Sequence, residues 1–162
     1  MQAKHEIERQ LENFEENQLI FASRLYRQSL SDTVSESAYY KTLERMCQQN
    51  TLAHVSRGIY CKPARGKYGI RLPSERDVIH EFTRDGNGTV MGYALYNHLN
   101  LTTQVPKLIE VYSSLPEQQT KRIGRVRLTQ KELKYSPEAV RMIQILEVLK
   151  NYSEIQDLNQ NQ

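Results

Sequence analysis

The sequence predicts an α+β protein in two parts: a winged helix-turn-helix over residues 1–63 and a small mixed α/β domain over residues 73–162, joined by a linker at 64–72. Three observations predict it. Helical periodicity runs through three short segments before residue 50. A strand-like TLAHV, a turn at Gly58 and a strand-like IYC follow directly as a hairpin. The stretch from Thr51 to Arg71 then carries five basic residues and no acidic one. A helix followed by a basic hairpin is the outline of a winged helix, whose usual purpose is to hold DNA.

The elements follow in order. Ile7, Leu11 and Phe14 stand at i, i+4 and i+7, so residues 4–16 read as an amphipathic helix with Glu8, Glu12, Glu15 and Glu16 toward solvent. A second helix covers 22–30, with Phe21, Leu25 and Tyr26 inward, and Ser31-Asp32 breaks it. Thr33-x-x-Glu36 has capping-box spacing, and Ser35 is an equally good cap for a third helix that runs to about Gln49. Tyr39, Leu43 and Met46 form its inner stripe. After the hairpin, Pro63 and Gly66 oppose regular structure in KPARGKYGI, which reads as an extended linker anchored by Tyr68.

The second part opens at Pro73-Ser74, where Ser74-x-x-Asp77 again has capping spacing and Val78, Ile79 and Phe82 supply an apolar face. A turn at Gly86–Gly88 ends that helix, and a short one follows over Tyr93–Leu99. Pro106 excludes a helix interior nearby. Leu108–Tyr112 and Ile123–Leu128 read as strands, the second with Arg125 and Arg127 on one face by the period of two. Ser136-Pro137-Glu138 starts the last helix, with Val140, Ile143, Leu146 or Glu147, and Leu149 as its stripe, and the polar NQNQ end frays.

Composition limits the function classes. The 162 residues are enough to bury a core without crosslinks, and ten Tyr with three Phe supply aromatic bulk in the absence of Trp. A mean hydropathy of −0.69 describes a polar but foldable chain. Cys47 and Cys61 are too few for a disulfide framework and read as core thiols, which fits a reducing cytoplasm. No apolar run approaches about 18 residues, and the glutamate-rich start lacks a secretory pattern, so no membrane association is expected. The net charge of +3 is unevenly spread. Residues 1–72 hold 11 basic and 8 acidic residues and residues 73–120 hold 3 and 6, whereas 121–134 hold 6 and 1. Two basic islands separated by acidic protein suggest localised phosphate contact.

No motif of nucleotide binding or catalysis is present. Glycine-rich phosphate loops are missing, and Arg65-Gly66-Lys67 is only a glycine between two cations. His5, His54, His80 and His98 lack metal-ligand spacing, and Ser113-Ser114 lacks the glycines of a nucleophile elbow. Asp77 with Glu81 is a carboxylate pair at i, i+4, for which a solvated helix face is the plainer account. Tyr93, Tyr96 and Tyr112 suit a core better than a base-stacking platform. The expectation is a protein that is no enzyme and needs no metal or cofactor.

The candidate DNA contacts are Ser37, Tyr40 and Lys41 on the third helix, Arg57 at the hairpin tip, and Lys62, Arg65 and Lys67 just beyond. Lys41 suits a phosphate or a guanine edge, and Ser37 and Tyr40 suit backbone or base. Arg57 is placed for a minor groove or a flanking phosphate. The competing account is an ordinary solvated helix and a surface arginine in a turn.

The run LERMCQQNTLAHVSRGIYCKP resembles the end of the recognition helix and the wing of the AbiE-type abortive-infection antitoxins. GTVMGYALYNHLNLTTQVPK after PSERDVI, and then IGRVRLTQKEL, resemble the second domain of those proteins in the same order. The resemblance implies a repressor that binds inverted repeats in its own promoter. It also implies an antitoxin of a type IV pair, countering a nucleotidyltransferase-like toxin without a stable complex. Carried to this chain, DNA contact falls on the third helix and on Arg57, Gly58, Ile59 and Tyr60, and a second basic surface falls on Arg122, Arg125 and Arg127. Two alternatives stay open: a module that neutralises a partner protein directly, and a regulator with no antitoxin role.

Overall fold

The computed structural model describes residues 2–159, and the expected fraying of the tail falls, from 160 onward, outside them. The chain is mixed α/β and divides into two compact units, Met1–Asp77 and Val78–Gln162.

The first unit opens with α1 (Gln2–Glu12), which buries Ile7 and Leu11. The helix stops four residues short of the expectation, and Phe14 packs against the core from the loop that follows. The second helix is composite, α2 (Ala22–Leu25) passing into a π-helical turn over Tyr26–Leu30. Ser35 caps α3 (Glu36–Gln48), its Oγ accepting from Ala38 N–H, and the helix buries Tyr39, Leu43 and Met46. Two phenols brace these helices. Tyr39 OH donates to the Ala22 carbonyl at 3.0 Å, and Tyr26 OH donates to the Val34 carbonyl at 2.9 Å. Burial pushes the Tyr39 phenol well above its ordinary range.

Helix α3 ends on Asn50 in the left-handed region, with Asn50 N–H donating to Cys47 O and Thr51 N–H to Met46 O. That is the Schellman arrangement, with asparagine where glycine is usual. A three-stranded sheet follows in the order β1 (Ile20–Phe21), β3 (Ile59–Cys61), β2 (Ala53–Ser56), antiparallel throughout. Strand β1 is too short to carry any periodicity, and the sequence gives no sign of it. The expected linker is instead a second hairpin, β4 (Ala64–Gly66) with β5 (Gly69–Arg71), turning at Lys67-Tyr68. Pro63 sits just before β4 and Gly66 at its end, positions where neither interrupts the ladder. Tyr68 does not anchor this segment: it is 94% exposed.

The second unit takes in most of α4 (Glu75–Thr83), whose start is a reciprocal cap. Ser74 N–H donates to Asp77 Oδ2, and Asp77 N–H to Ser74 Oγ. A four-stranded sheet runs in the order β6 (Gly88–Met91), β7 (Ile109–Ser113), β9 (Val126–Gln130), β8 (Thr120–Ile123), with β7 and β9 parallel and the other pairs antiparallel. The expected strand over 123–128 is therefore two strands, closed by a turn at Gly124-Arg125. Helix α5 (Gly92–His98) ends on Asn100, also left-handed, with the same paired bonds to Asn97 O and Tyr96 O.

Ser136 caps α6 (Pro137–Lys150) with proline at its first turn. Helix α7 (Gln156–Asn159) is tied back by Asp157, which accepts from Thr102 Oγ and Thr103 N–H; these bonds lower its carboxyl below the usual range. Met91, Leu95, Tyr96 and Ile155 form one cluster, with Tyr93, Tyr112, Ile143 and Val148 packed on it. Tyr96 is a core residue, and Tyr93 and Tyr112 are half-buried against it. Burial pushes the Tyr96 phenol up to about 12. Among the described residues no helix is long and apolar enough to cross a membrane.

Candidate nucleic-acid interface

The helical period that buries Tyr39, Leu43 and Met46 turns Ser37 and Lys41 outward, one turn apart on one exposed face of α3. Glu44, Arg45 and Gln48 continue that face. The helical period that places Ser37 and Lys41 also marks Arg45 and Gln48, one and two turns further on. Tyr40 stands apart. It is half-buried at the edge of the core, with its ring 5.1 Å from that of Tyr39 in an edge-to-face contact. Its aromatic bulk holds the helix in place, and only part of the side chain reaches the surface.

The hairpin tip is Arg57-Gly58, both exposed. Gly58 has φ +74°, a conformation that favours glycine, and a register shift between His54 and Ser56 bends β2 just before the turn. The Gly58 carbonyl accepts from Ala22 N–H at 3.0 Å, so the first turn of α2 is bonded to the tip. This brings Arg24 into the neighbourhood, its guanidinium 4.8 Å from the Phe21 ring centre. Nothing in the linear sequence marks Arg24, because a two-residue strand delivers it.

Tyr60 lies on the central strand, paired with Ile20 and His54 and stacked edge-on against the His54 ring at 5.3 Å. Burial raises its phenol, with Cys47, Tyr40 and Glu44 adding to the effect. Lys62 is drawn into the fold. Its carbonyl accepts from Asn17 N–H at 2.8 Å, and its Nζ donates to the Glu12 carbonyl at 3.5 Å. Both Tyr60 and Lys62 support the hairpin more than they present it. Cys61 is buried and Cys47 half-buried, both free, and burial pushes the Cys61 thiol up to about 11. Such thiols are protonated and unreactive at neutral pH.

The second hairpin adds the most exposed part of the surface. Arg65 and Arg71 lie on its two strands and Lys67 at its turn, all exposed, and Lys67 Nζ lies 5.6 Å from the Tyr68 ring centre. An exposed phenol among cations adds a hydroxyl donor to a surface suited to meet phosphate. Tyr68 is the residue that sequence reasoning placed on the wrong side.

The basic island of the second unit is differently disposed. Arg125 is in the turn, so it does not share a strand face with Arg127. Arg127 Nη1 lies 3.3 Å from Glu110 Oε1, and Arg122 Nε donates to the Gly124 carbonyl at 2.9 Å. Asp77 is engaged in the α4 cap and Glu81 pairs with Arg84 at 3.0 Å, so each carboxylate of that pair has a structural partner. Among the described residues no group of three or more His, Cys, Asp and Glu is placed to hold a metal ion.

These features define a mixed α/β protein of two units, the first carrying a helix and two hairpins that expose cations. The chain belongs to the family of unknown function DUF6088, whose model matches residues 6–156. No curated protein and no solved structure matches it.

Proposed function

We propose that the first unit is a winged helix-turn-helix that binds duplex DNA, and that the protein is a cytoplasmic transcriptional repressor of its own promoter. In this reading α3 is the recognition helix and the β2–β3 hairpin is the wing. The observation that carries it is the acid-free run from Thr51 to Arg71, folded as two successive hairpins that expose Arg57, Arg65, Lys67 and Arg71. Ser37 and Lys41 on the adjoining helix supply groups able to read base edges. Glu44 on the same face repels phosphate and suits a cytosine amino group, which favours a base-reading role over simple backbone clamping.

The antitoxin role, countering a nucleotidyltransferase-like toxin without a stable complex, rests on the resemblance to AbiE-type proteins and falls on the second unit. The test of the DNA reading is titration of the whole protein against the duplex upstream of its own gene at several salt concentrations. Four to six phosphate contacts give a slope of about −4 to −5 in log affinity against log salt. A flat response, or equal affinity for random duplex, refutes it. Co-expression with a neighbouring nucleotidyltransferase tests the antitoxin role separately, through rescue of growth.

A further inference from the structure

Helix α6 is the least covered long element of the second unit, with none of its residues buried. Its inner face is occupied: Ile143 and Val148 pack on the Met91 cluster, Gln144 Nε2 donates to Thr89 Oγ, and Glu147 accepts from Tyr96 OH. The outer face is apolar. Met142, Ile145, Leu146 and Leu149 are 55–64% exposed, and Tyr152 continues the line. Spacings of three and four residues over this length make a seam like that of paired helices, whereas a solvated helix carries polar groups outward.

We propose that this face binds a second copy of the chain, α6 against α6 and antiparallel, about a two-fold axis midway between Met142 and Leu146. Three features select that occupant. The first is shape. Beside the ridge of Met142 and Leu146 lies a mostly apolar groove of about 500 Å³, lined mainly by Leu99, Leu101, Val148 and Leu149, with Arg141 and Gln144 also in its wall. A two-fold axis seats the ridge of each copy in the groove of the other, as a self-complementary patch requires.

The second is charge. Glu138 stands in the first turn of α6 and Lys150 in the last. Antiparallel pairing brings these opposite charges together and opposes the helix dipoles, whereas parallel pairing stacks like on like. The third is area. A fully exposed side chain of this size presents on the order of 120 Å² of apolar surface, so the five, at 46–64% exposure, offer roughly 350 Å² per copy. With the polar rim that accompanies such a core, the pair buries about 1,100 Å², near the lower limit for specific association. The inference is independent of the DNA reading.

Sedimentation equilibrium of the full chain over about 1–200 µM tests it, a range that brackets micromolar association. The expected mass rises from 19.0 kDa toward twice that value. Leu146→Glu and Leu149→Glu each weaken the dimer on the order of a hundred-fold or more, since every substitution counts twice, and leave the circular dichroism unchanged and the Tm equal to that of the wild type at dilutions where it is monomeric. Under mild oxidation Ile145→Cys crosslinks to its own copy, because it lies near the axis, while Glu138→Cys does not. A chain that stays monomeric across the range, its face taken instead by another segment or a different protein, overturns the proposal. So does a dimer indifferent to both glutamates, or a Glu138→Cys variant that crosslinks as well as Ile145→Cys.

Discussion

Two hairpins of this protein turn on the same pair of residue types in opposite order, Arg57-Gly58 in the first unit and Gly124-Arg125 in the second. Each glycine has positive φ, +74° and +56°, and an added Cβ would meet no neighbour within 4 Å at either. The surroundings differ. The first tip stands in a run of about twenty residues without a carboxylate and is bonded to the start of α2. The second closes an edge of a larger sheet, where Arg127 faces Glu110 and Arg122 bonds the turn carbonyl. Net charge would rank the two islands equal, at +5 each. What separates them is the carboxylate: the first run contains none, whereas Glu110 meets Arg127 in the second, and on that ground the first is the stronger candidate for phosphate.

The largest expected contrast comes from matched triple substitutions. Arg57→Ala, Arg65→Ala and Lys67→Ala together should lower the salt slope by about 2.7 and cut DNA affinity about a hundred-fold or more at low salt. The same change at Arg122, Arg125 and Arg127 should alter affinity less than about three-fold. Equal losses in the two proteins, read by fluorescence anisotropy, would erase the distinction. The glycines then sharpen it. Gly58→Ala and Gly124→Ala should each cost roughly 1–2 kcal/mol in urea unfolding, since each forces a side chain into the left-handed region. Only Gly58→Ala should also weaken DNA binding.

Tyr68→Ala should cost about 0.5–1.5 kcal/mol of DNA affinity, the worth of one hydroxyl–phosphate hydrogen bond, with no loss of stability, because the ring is almost wholly in solvent. A drop in Tm without a change in binding would return Tyr68 to a structural role. The smallest effect at working pH concerns the buried phenols. The Tyr96 phenol is raised from 10.0 to about 12, so its neutral form is favoured by folding. Its contribution is fully present below pH 10 and is lost as pH rises toward 12, and Tyr39 acts in the same direction in the first unit. Stability should therefore be flat with respect to these groups between pH 7 and 9 and fall above 10, with Tyr96→Phe flattening part of the fall.

The elements legible in the sequence were those with a local cause. Ser35 and Ser136 cap their helices through their own hydroxyls, and the Tyr39, Leu43 and Met46 stripe is a period of one helix. What escaped notice depends on distant chain. Strand β1 exists because β3 offers it an edge, and the β4–β5 hairpin forms although Pro63 and Gly66 flank one of its strands. Alternating Arg and Val at 125–128 suggested a continuous strand, but Gly124 permits a two-residue turn that periodicity does not reveal. In the α6 stripe Ile143 and Glu147 do face the core of the unit, but Leu146 and Leu149 do not, and Val148 takes their place. Apolar spacing identifies a helix face; it does not say whether the chain itself covers it.

The asparagines that close α3 and α5 have a practical consequence. Each occupies a site where glycine adopts the same backbone without a Cβ penalty, and neither Asn50 nor Asn100 is among the residues placed at the candidate interface. Natural chains rarely sit at their stability optimum, so such positions are reserve capacity. Asn50→Gly with Asn100→Gly offers a more robust parent, by about 0.5–1 kcal/mol for the pair. Against that background, deleterious surface variants can be assayed for lost binding without the confusion of lost folding.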